Sequence, residues 1–128
     1  MSQEQFDVLV AEDDDQISYL LNFMLTREGF TVKVANDGQE AMDAIAEIAM
    51  PKLILLDIMM PFYDGYQVLD HIRNKTDWEG VPILMLTAKS QEKDIVQALE
   101  SGANDYVVKP FQPGELITRL KMLMRRAA

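Results

Sequence analysis

Cysteine is absent from the 128 residues, which excludes disulfides, thiolate nucleophiles and cysteine-ligated zinc. Histidine occurs once, at His71, so a multi-histidine metal centre is excluded as well. Basic residues are few: 12 Lys and Arg face 21 Asp and Glu, for a net charge of −9. A chain that acidic is repelled by phosphate backbones and anionic headgroups, which argues against direct nucleic-acid binding and against membrane binding. The apolar run Leu53 to Leu56 stops at Asp57, and nothing approaches the roughly 20 residues of a membrane-spanning helix. The start, Met1-Ser2-Gln3-Glu4-Gln5, is polar and lacks the basic flank of a signal peptide. No repeat, biased segment or flexible linker divides the chain. These absences predict one cytoplasmic domain over residues 1–128, with no effector domain in the chain.

What the chain does contain is an alternation of short apolar runs and longer amphipathic ones. The short runs are Phe6–Ala11, Thr31–Ala35, Lys52–Leu56, Val81–Leu86 and Asp105–Val108. Leu53-Ile54-Leu55-Leu56 and Ile83-Leu84-Met85-Leu86 do not alternate with polar residues, as expected of strands buried on both faces. Between them lie segments of helical spacing. Ile17, Leu20, Leu21, Met24 and Leu25 make one stripe, closed by Gly29. Asp37 with Glu40 resembles a capping box before Ala41, Ile45 and Ile48. A third helix carries Val68, Leu69 and Ile72. A fourth runs from a Ser90 cap through Ile95 and Leu99 to Gly102. A fifth starts at Pro113 and turns Leu116, Leu120, Leu123 and Met124 inward. Five strands alternating with five helices predict an α/β fold, a doubly wound (βα)5 five-stranded parallel sheet in the flavodoxin-like order 2-1-3-4-5.

Such sheets bind ligands at the carboxyl ends of their strands, and the residues there are polar. Glu12, Asp13, Asp14 and Asp15 follow the first strand, Asp57 ends the third, Thr87 the fourth and Lys109 the fifth. Taken singly, each has an ordinary explanation: Asp14 or Asp15 as a helix cap, Thr87 as a turn residue, Lys109 as a solvated lysine. Asp57 is harder to explain away, because an aspartate ending an aliphatic strand is desolvated unless something neutralises it. Clustered carboxylates repel one another unless a cation is bound, and oxygen ligands without His or Cys select Mg²⁺, Mn²⁺ or Ca²⁺ over zinc. Few protein ligands favour Mg²⁺ acting with a phosphoryl group. Lys109 and the Thr87 hydroxyl suit the other oxygens of that group, and Asp57 is the candidate nucleophile.

These residues resemble the receiver domain of two-component response regulators over about residues 6 to 126. The matching blocks are Val8-Leu9-Val10-Ala11-Glu12-Asp13-Asp14, Leu53 to Pro61 with Asp64-Gly65, Leu86-Thr87-Ala88, Gly102 to Tyr106, and Lys109-Pro110-Phe111. The resemblance implies a phosphoacceptor, not an enzyme beyond self-catalysed phosphotransfer and autodephosphorylation. Asp57 would take a phosphoryl group from a sensor histidine kinase or a phosphotransfer protein. Asp13, Asp57 and the Met59 backbone carbonyl would bind Mg²⁺ directly, with Mn²⁺ as a substitute, and Glu12 would act through water. Lys109 would contact the phosphoryl group, Thr87 would move toward it, and Tyr106 would change rotamer. The Lys109-Pro110 bond is expected to be cis. The chain departs from the pattern at Glu12, where aspartate is commoner, at Asp15, often proline, and at Phe62-Tyr63, which fill a loop often smaller and bear on access to Asp57.

Three rivals are weaker. A phosphoaspartate hydrolase of the haloacid-dehalogenase kind wants a second aspartate two residues after the nucleophile, where this chain has Met59. A flavodoxin-like carrier wants a phosphate loop where this chain has four acids. A receiver-shaped interaction module that ignores phosphate would have no use for Glu12, Asp13, Asp57, Thr87 and Lys109 together. Among isolated residues, His71 and Trp78 are expected to be structural or local in role, the nine methionines mostly core, and Arg119, Arg125 and Arg126 a solvated last turn or, alternatively, the start of a linker. On the output face of helix 4, strand 5 and helix 5, Asp105, Glu115 and Arg119 are placed as in dimerising relatives. Asn104 and Ile95 stand where charged partners are expected. The resemblance therefore implies a monomer, or a weak activation-dependent dimer.

Overall fold

The computed structural model describes residues 3–127. Its elements are β1 (Val8–Ala11), α1 (Asp15–Arg27), β2 (Val32–Ala35), α2 (Gly38–Glu47), β3 (Leu53–Leu56), α3 (Gly65–Arg73), β4 (Ile83–Thr87), α4 (Glu92–Glu100), β5 (Asp105–Val108) and α5 (Pro113–Ala127). The strands form one parallel sheet in the order β2-β1-β3-β4-β5. That is the expected architecture and strand order. Four strands are shorter than the apolar runs predicted, with Phe6, Asp7, Thr31, Lys52, Val81 and Pro82 outside the ladder; β4 extends one residue further, to Thr87, and β5 has the expected bounds.

Side-chain alternation divides the core in two. Leu9, Ala11, Ile54, Leu56, Ile83 and Met85 point to the face covered by α2, α3 and Ala98 of α4. Val8, Val10, Leu53, Leu55, Leu84 and Leu86 point to the face covered by α1 and α5. Leucine and isoleucine on both faces of β3 explain its unbroken apolar sequence. Each such side chain contributes about 1.5–3 kcal/mol when fully buried.

Local chemistry starts and stops the helices. Asp14 caps α1, its carboxylate accepting from the amides of Gln16 at 2.9 Å and Ile17 at 3.2 Å. Gly29, with φ +94°, ends it in a conformation costly to side chains. Asp37 caps α2 by accepting from the Glu40 amide at 2.8 Å, but the Glu40 carboxylate reaches the Asn36 amide rather than that of Asp37. The reciprocal capping box is instead Asp64 with Gln67, at the start of α3.

Three expectations about the helices need correction. Leu20 is 42% exposed, so the buried stripe of α1 is Ser18, Leu21 and Leu25 with Ile17 and Met24 half-buried. In α4 the buried residues are Asp94 and Ala98; Ile95 is half-buried and Leu99 is 44% exposed. The small Ala98 lets the helix approach the core closely, and that outweighs the aliphatic spacing. The cap of α4 is Gln91, without a side-chain bond, and not Ser90. Of the eight described methionines, Met60 and Met85 are buried and Met24, Met42 and Met124 pack half-buried against the core, whereas Met50, Met59 and Met122 are exposed. Pro113 does begin α5, and Leu116, Leu120 and Leu123 are buried. Among the described residues no helix is long and apolar enough to cross a membrane.

Candidate functional site

Register brings the polar strand ends together. Ala11 pairs with Leu56, so the next residues, Glu12 and Asp57, emerge side by side. The Asp57 amide donates to the Ala11 carbonyl at 3.1 Å, which extends the ladder by one bond. On the other side Thr87 pairs with Val108, and the Lys109 amide donates to the Thr87 carbonyl at 2.9 Å. Glu12, Asp57 and Thr87 are all buried. The predicted site residues therefore share one edge of the sheet.

Lys109 joins its two sides. Its ammonium lies 2.9 Å from Asp57 Oδ2 and also pairs with Glu12 Oε1. The second Glu12 oxygen accepts from the Asp14 amide at 3.2 Å, and Asp57 Oδ1 accepts from the Met59 amide at 3.2 Å. Burial pushes the Glu12 carboxyl up to about 7, against the pull of the Lys109 hydrogen bond and reinforced by the negative Asp57. For Lys109, burial acts to lower the pKa, but the bonds and charges of Glu12 and Asp57 outweigh it and hold the ammonium above its ordinary value. The Lys109-Pro110 peptide bond is cis.

Asp13 is exposed at the mouth of the pocket, yet Glu12, Asp13 and Asp57 each offer a carboxylate oxygen within 4.8 Å of the others. Three carboxylates against one ammonium leave negative charge in excess. Oxygen donors at that spacing fit a small hard divalent cation. Beside them opens a cleft of about 480 Å³, lined by Asp13, Met59, Pro61, Asp64, Tyr66 and Lys89.

Thr87 and Tyr106 connect this edge to the segment leading into α4. Thr87 Oγ1 accepts weakly from the Lys89 amide at 3.4 Å, and the Tyr106 hydroxyl donates to the Lys89 carbonyl at 2.7 Å. Tyr106 is half-buried, and burial pushes its hydroxyl up to about 12, with Tyr66, Asp94 and Asp57 adding to the shift. Tyr66, which the sequence marks only by its position directly after the Asp64-Gly65 helix start, belongs to the same connection. It donates from α3 to the Asp94 carbonyl of α4 at 3.4 Å. His71 is exposed, and Trp78 is buried with the Lys75 ammonium 6.0 Å from its ring centre, so neither reaches the site.

A buried strand-end aspartate, bridged by a lysine to a second acid and flanked by a strand-end hydroxyl, thus stands at the carboxyl edge of a doubly wound sheet of order 2-1-3-4-5. The chain belongs to the response regulator receiver domain family, whose model matches residues 8–121. It is 44% identical over 119 residues to the DNA-binding response regulator MtrA of Mycolicibacterium smegmatis, covering 93% of this chain and 50% of that protein. It is 45% identical over 123 residues to the transcriptional regulatory protein SrrA of Staphylococcus aureus, covering 94% of this chain and 48% of that one. The chain thus spans about half the length of the curated relatives it matches. Among solved structures, the Francisella response regulator 1452 receiver domain superposes with a TM-score of 0.87 at 34% identity, covering 94% of this chain and 98% of that one. Receiver domains are signalling domains of two-component systems, not enzymes in the ordinary sense; the resemblance and the fold expected from the sequence both hold.

Proposed function

We propose that Asp57 is the phosphoacceptor of this receiver. In the transfer an Asp57 carboxylate oxygen attacks the phosphorus of a phosphohistidine on a sensor kinase or phosphotransfer protein. The P–N bond breaks, and the imidazole nitrogen leaves with its electron pair. The observation that carries this reading is the placement of Lys109 on Asp57 and Glu12: a buried carboxylate already faces a fixed cation that can follow the charge onto a phosphoryl oxygen. Asp13, Asp57 and the Met59 backbone carbonyl would hold Mg²⁺, or Mn²⁺ in its stead, with Glu12 acting through water. The cation would supply charge neutralisation to the phosphoryl oxygens. The Thr87 hydroxyl then turns to donate to a phosphoryl oxygen, and Tyr106 responds on the face made by α4, β5 and α5. The same machinery supports self-catalysed phosphorylation and autodephosphorylation in the cytoplasm.

Incubation with acetyl phosphate and Mg²⁺ tests this directly. Intact mass should rise by one phosphoryl group in the wild type and stay unchanged in Asp57→Asn. Full labelling of that variant would remove Asp57 from its role.

A further inference from the structure

Helix α2 begins at Gly38, and its first residue lies against the loop joining β3 to α3. The Gly38 amide donates to the Pro61 carbonyl at 3.1 Å. A Cβ on Gly38 would stand 2.0 Å from the Tyr63 carbonyl oxygen and 2.6 Å from the Tyr63 nitrogen. The obstructing atoms are backbone, so no flexible side chain can move aside to admit it.

The loop needs such a hold. The Pro61 carbonyl also accepts from the Tyr63 amide at 3.0 Å, closing a three-residue turn on Phe62, whose φ is +72°. A γ-turn with positive φ is rare and strained for any residue with a side chain. Phe62 is 75% exposed, so burial of its side chain does not offset the strain. At the other end of the loop the Gly65 amide donates to the Ile58 carbonyl at 2.8 Å, and a Cβ there would stand 2.4 Å from the Asp57 carbonyl oxygen. The segment between Asp57 and Asp64 is therefore pinned twice, by backbone contact to α3 and to α2.

We infer that Gly38 is a positioning residue for the phosphoacceptor loop: the first turn of α2 holds the Pro61–Tyr63 turn in its strained form and thereby fixes Met59 beside Asp57 and Asp13. The inference rests on the proposed role of the Met59 carbonyl and the two aspartates in holding Mg²⁺. A Cβ at Gly38 displaces the turn, and with it the Met59 backbone, without touching any carboxylate.

Calorimetric titration with Mg²⁺ alone tests it on four proteins: wild type, Asp13→Asn, Gly38→Ala and Gly29→Ala. Gly29→Ala is the control for lost stability, because Gly29 has φ +94° and open space around its Cβ position. Gly38→Ala should weaken Mg²⁺ by about tenfold, while Gly29→Ala stays within about twofold of wild type despite a lower melting temperature. Gly38→Ala binding as tightly as wild type, while Asp13→Asn does not, overturns the inference and leaves the metal reading standing. Asp13→Asn binding as tightly as wild type overturns the metal reading itself. Should Gly38→Ala fail to fold, reciprocity supplies the measurement on the unaltered chain. Mg²⁺ should then slow exchange of the Gly38 amide proton while leaving that of Gly29 unchanged, and an unaffected Gly38 amide overturns the inference.

Discussion

The Lys109 ammonium stands 2.9 Å from Asp57 and also touches Glu12, so two buried carboxylates share one counter-charge. Removing one partner of a buried ion pair costs about 3–5 kcal/mol, because the survivor is left desolvated and unpaired. Lys109→Met should therefore lower the unfolding free energy, measured in urea without divalent cations, by about 3 kcal/mol at alkaline pH. The loss should shrink in mildly acid buffer, where Glu12 takes up a proton, and in the presence of Mg²⁺. Equal stability of Lys109→Met and wild type at alkaline pH would show that the lysine neutralises nothing.

Glu12 makes stability depend on pH in a defined direction. Its carboxyl titrates near 4.5 when unperturbed and about 7 in the folded protein. Between those values the folded state keeps a proton that the unfolded chain has released, so this group's contribution falls as pH rises through that window. A gap of that size corresponds to something on the order of 3 kcal/mol. Melting temperatures without divalent cations should decline from about pH 5 to pH 7.5, and Glu12→Gln should flatten the decline. Mg²⁺ binding near pH 6 should release protons in the wild type, read as a buffer-dependent heat, and fewer in Glu12→Gln.

The contact between Tyr106 and Lys89 predicts how far a signal spreads. Beryllofluoride, a phosphoryl mimic, should perturb NMR resonances at Asp57 and also at Lys89, Tyr106 and the first turn of α4. In Thr87→Ala the changes should stop at the pocket, because the hydroxyl that draws the connecting segment inward is gone. Tyr106→Phe should cost about 1 kcal/mol of stability through loss of the bond to the Lys89 carbonyl. Identical spreading in wild type and Thr87→Ala would separate the two residues.

Arg119 is already occupied within the chain. It pairs with Asp105 at 3.1 Å and with Glu115 at 3.0 Å, and these charges would have to be released or shared to bridge a second copy. We expect a monomer at micromolar concentration and at most weak association with beryllofluoride, measured by light scattering. Exposed pairs of this kind contribute about 0–1 kcal/mol each, so Arg119→Ala should leave stability nearly unchanged. A tight activated dimer that Arg119→Ala dissociates would reverse this expectation.

The sheet and the pocket were legible because each strand and the polar residue that ends it are adjacent in sequence. Aliphatic runs without alternation mark strands buried on both faces, and the polar residue after each run must emerge at one edge once the order is set. Groups whose role depends on approach between distant segments were not legible. Asn104 looks like a lost acidic partner on the output face. Its side-chain oxygen instead accepts from Arg73 at 2.9 Å and from the Ile83 amide at 2.8 Å. Arg73 also donates to the carbonyls of Gly102, Glu79 and Val81, tying α3 to the ends of β4 and β5, and burial holds its pKa below the usual value. Nothing local in Asp70-His71-Ile72-Arg73 announces that clamp. The same holds for α4, where Asp94 and Ala98 rather than Leu99 meet the core, and for Gly38, which in sequence looks like any glycine after a strand.

The place of β5 at the margin of the sheet gives the pocket two walls of unequal compliance. β1 and β3 have partners on both sides and are buried along their whole length, whereas β5 is bonded to β4 alone and is mostly half-buried. Amide protons of the inner strands should exchange with solvent only through global opening, and those of β5 through local fraying. Glu12 and Asp57 stand on the rigid wall; Tyr106 and Lys109 stand on or just beyond the yielding one. A charge arriving at Asp57 would thus leave the carboxylate side in place and spend its work on the outer strand, where a partner can detect the displacement from outside.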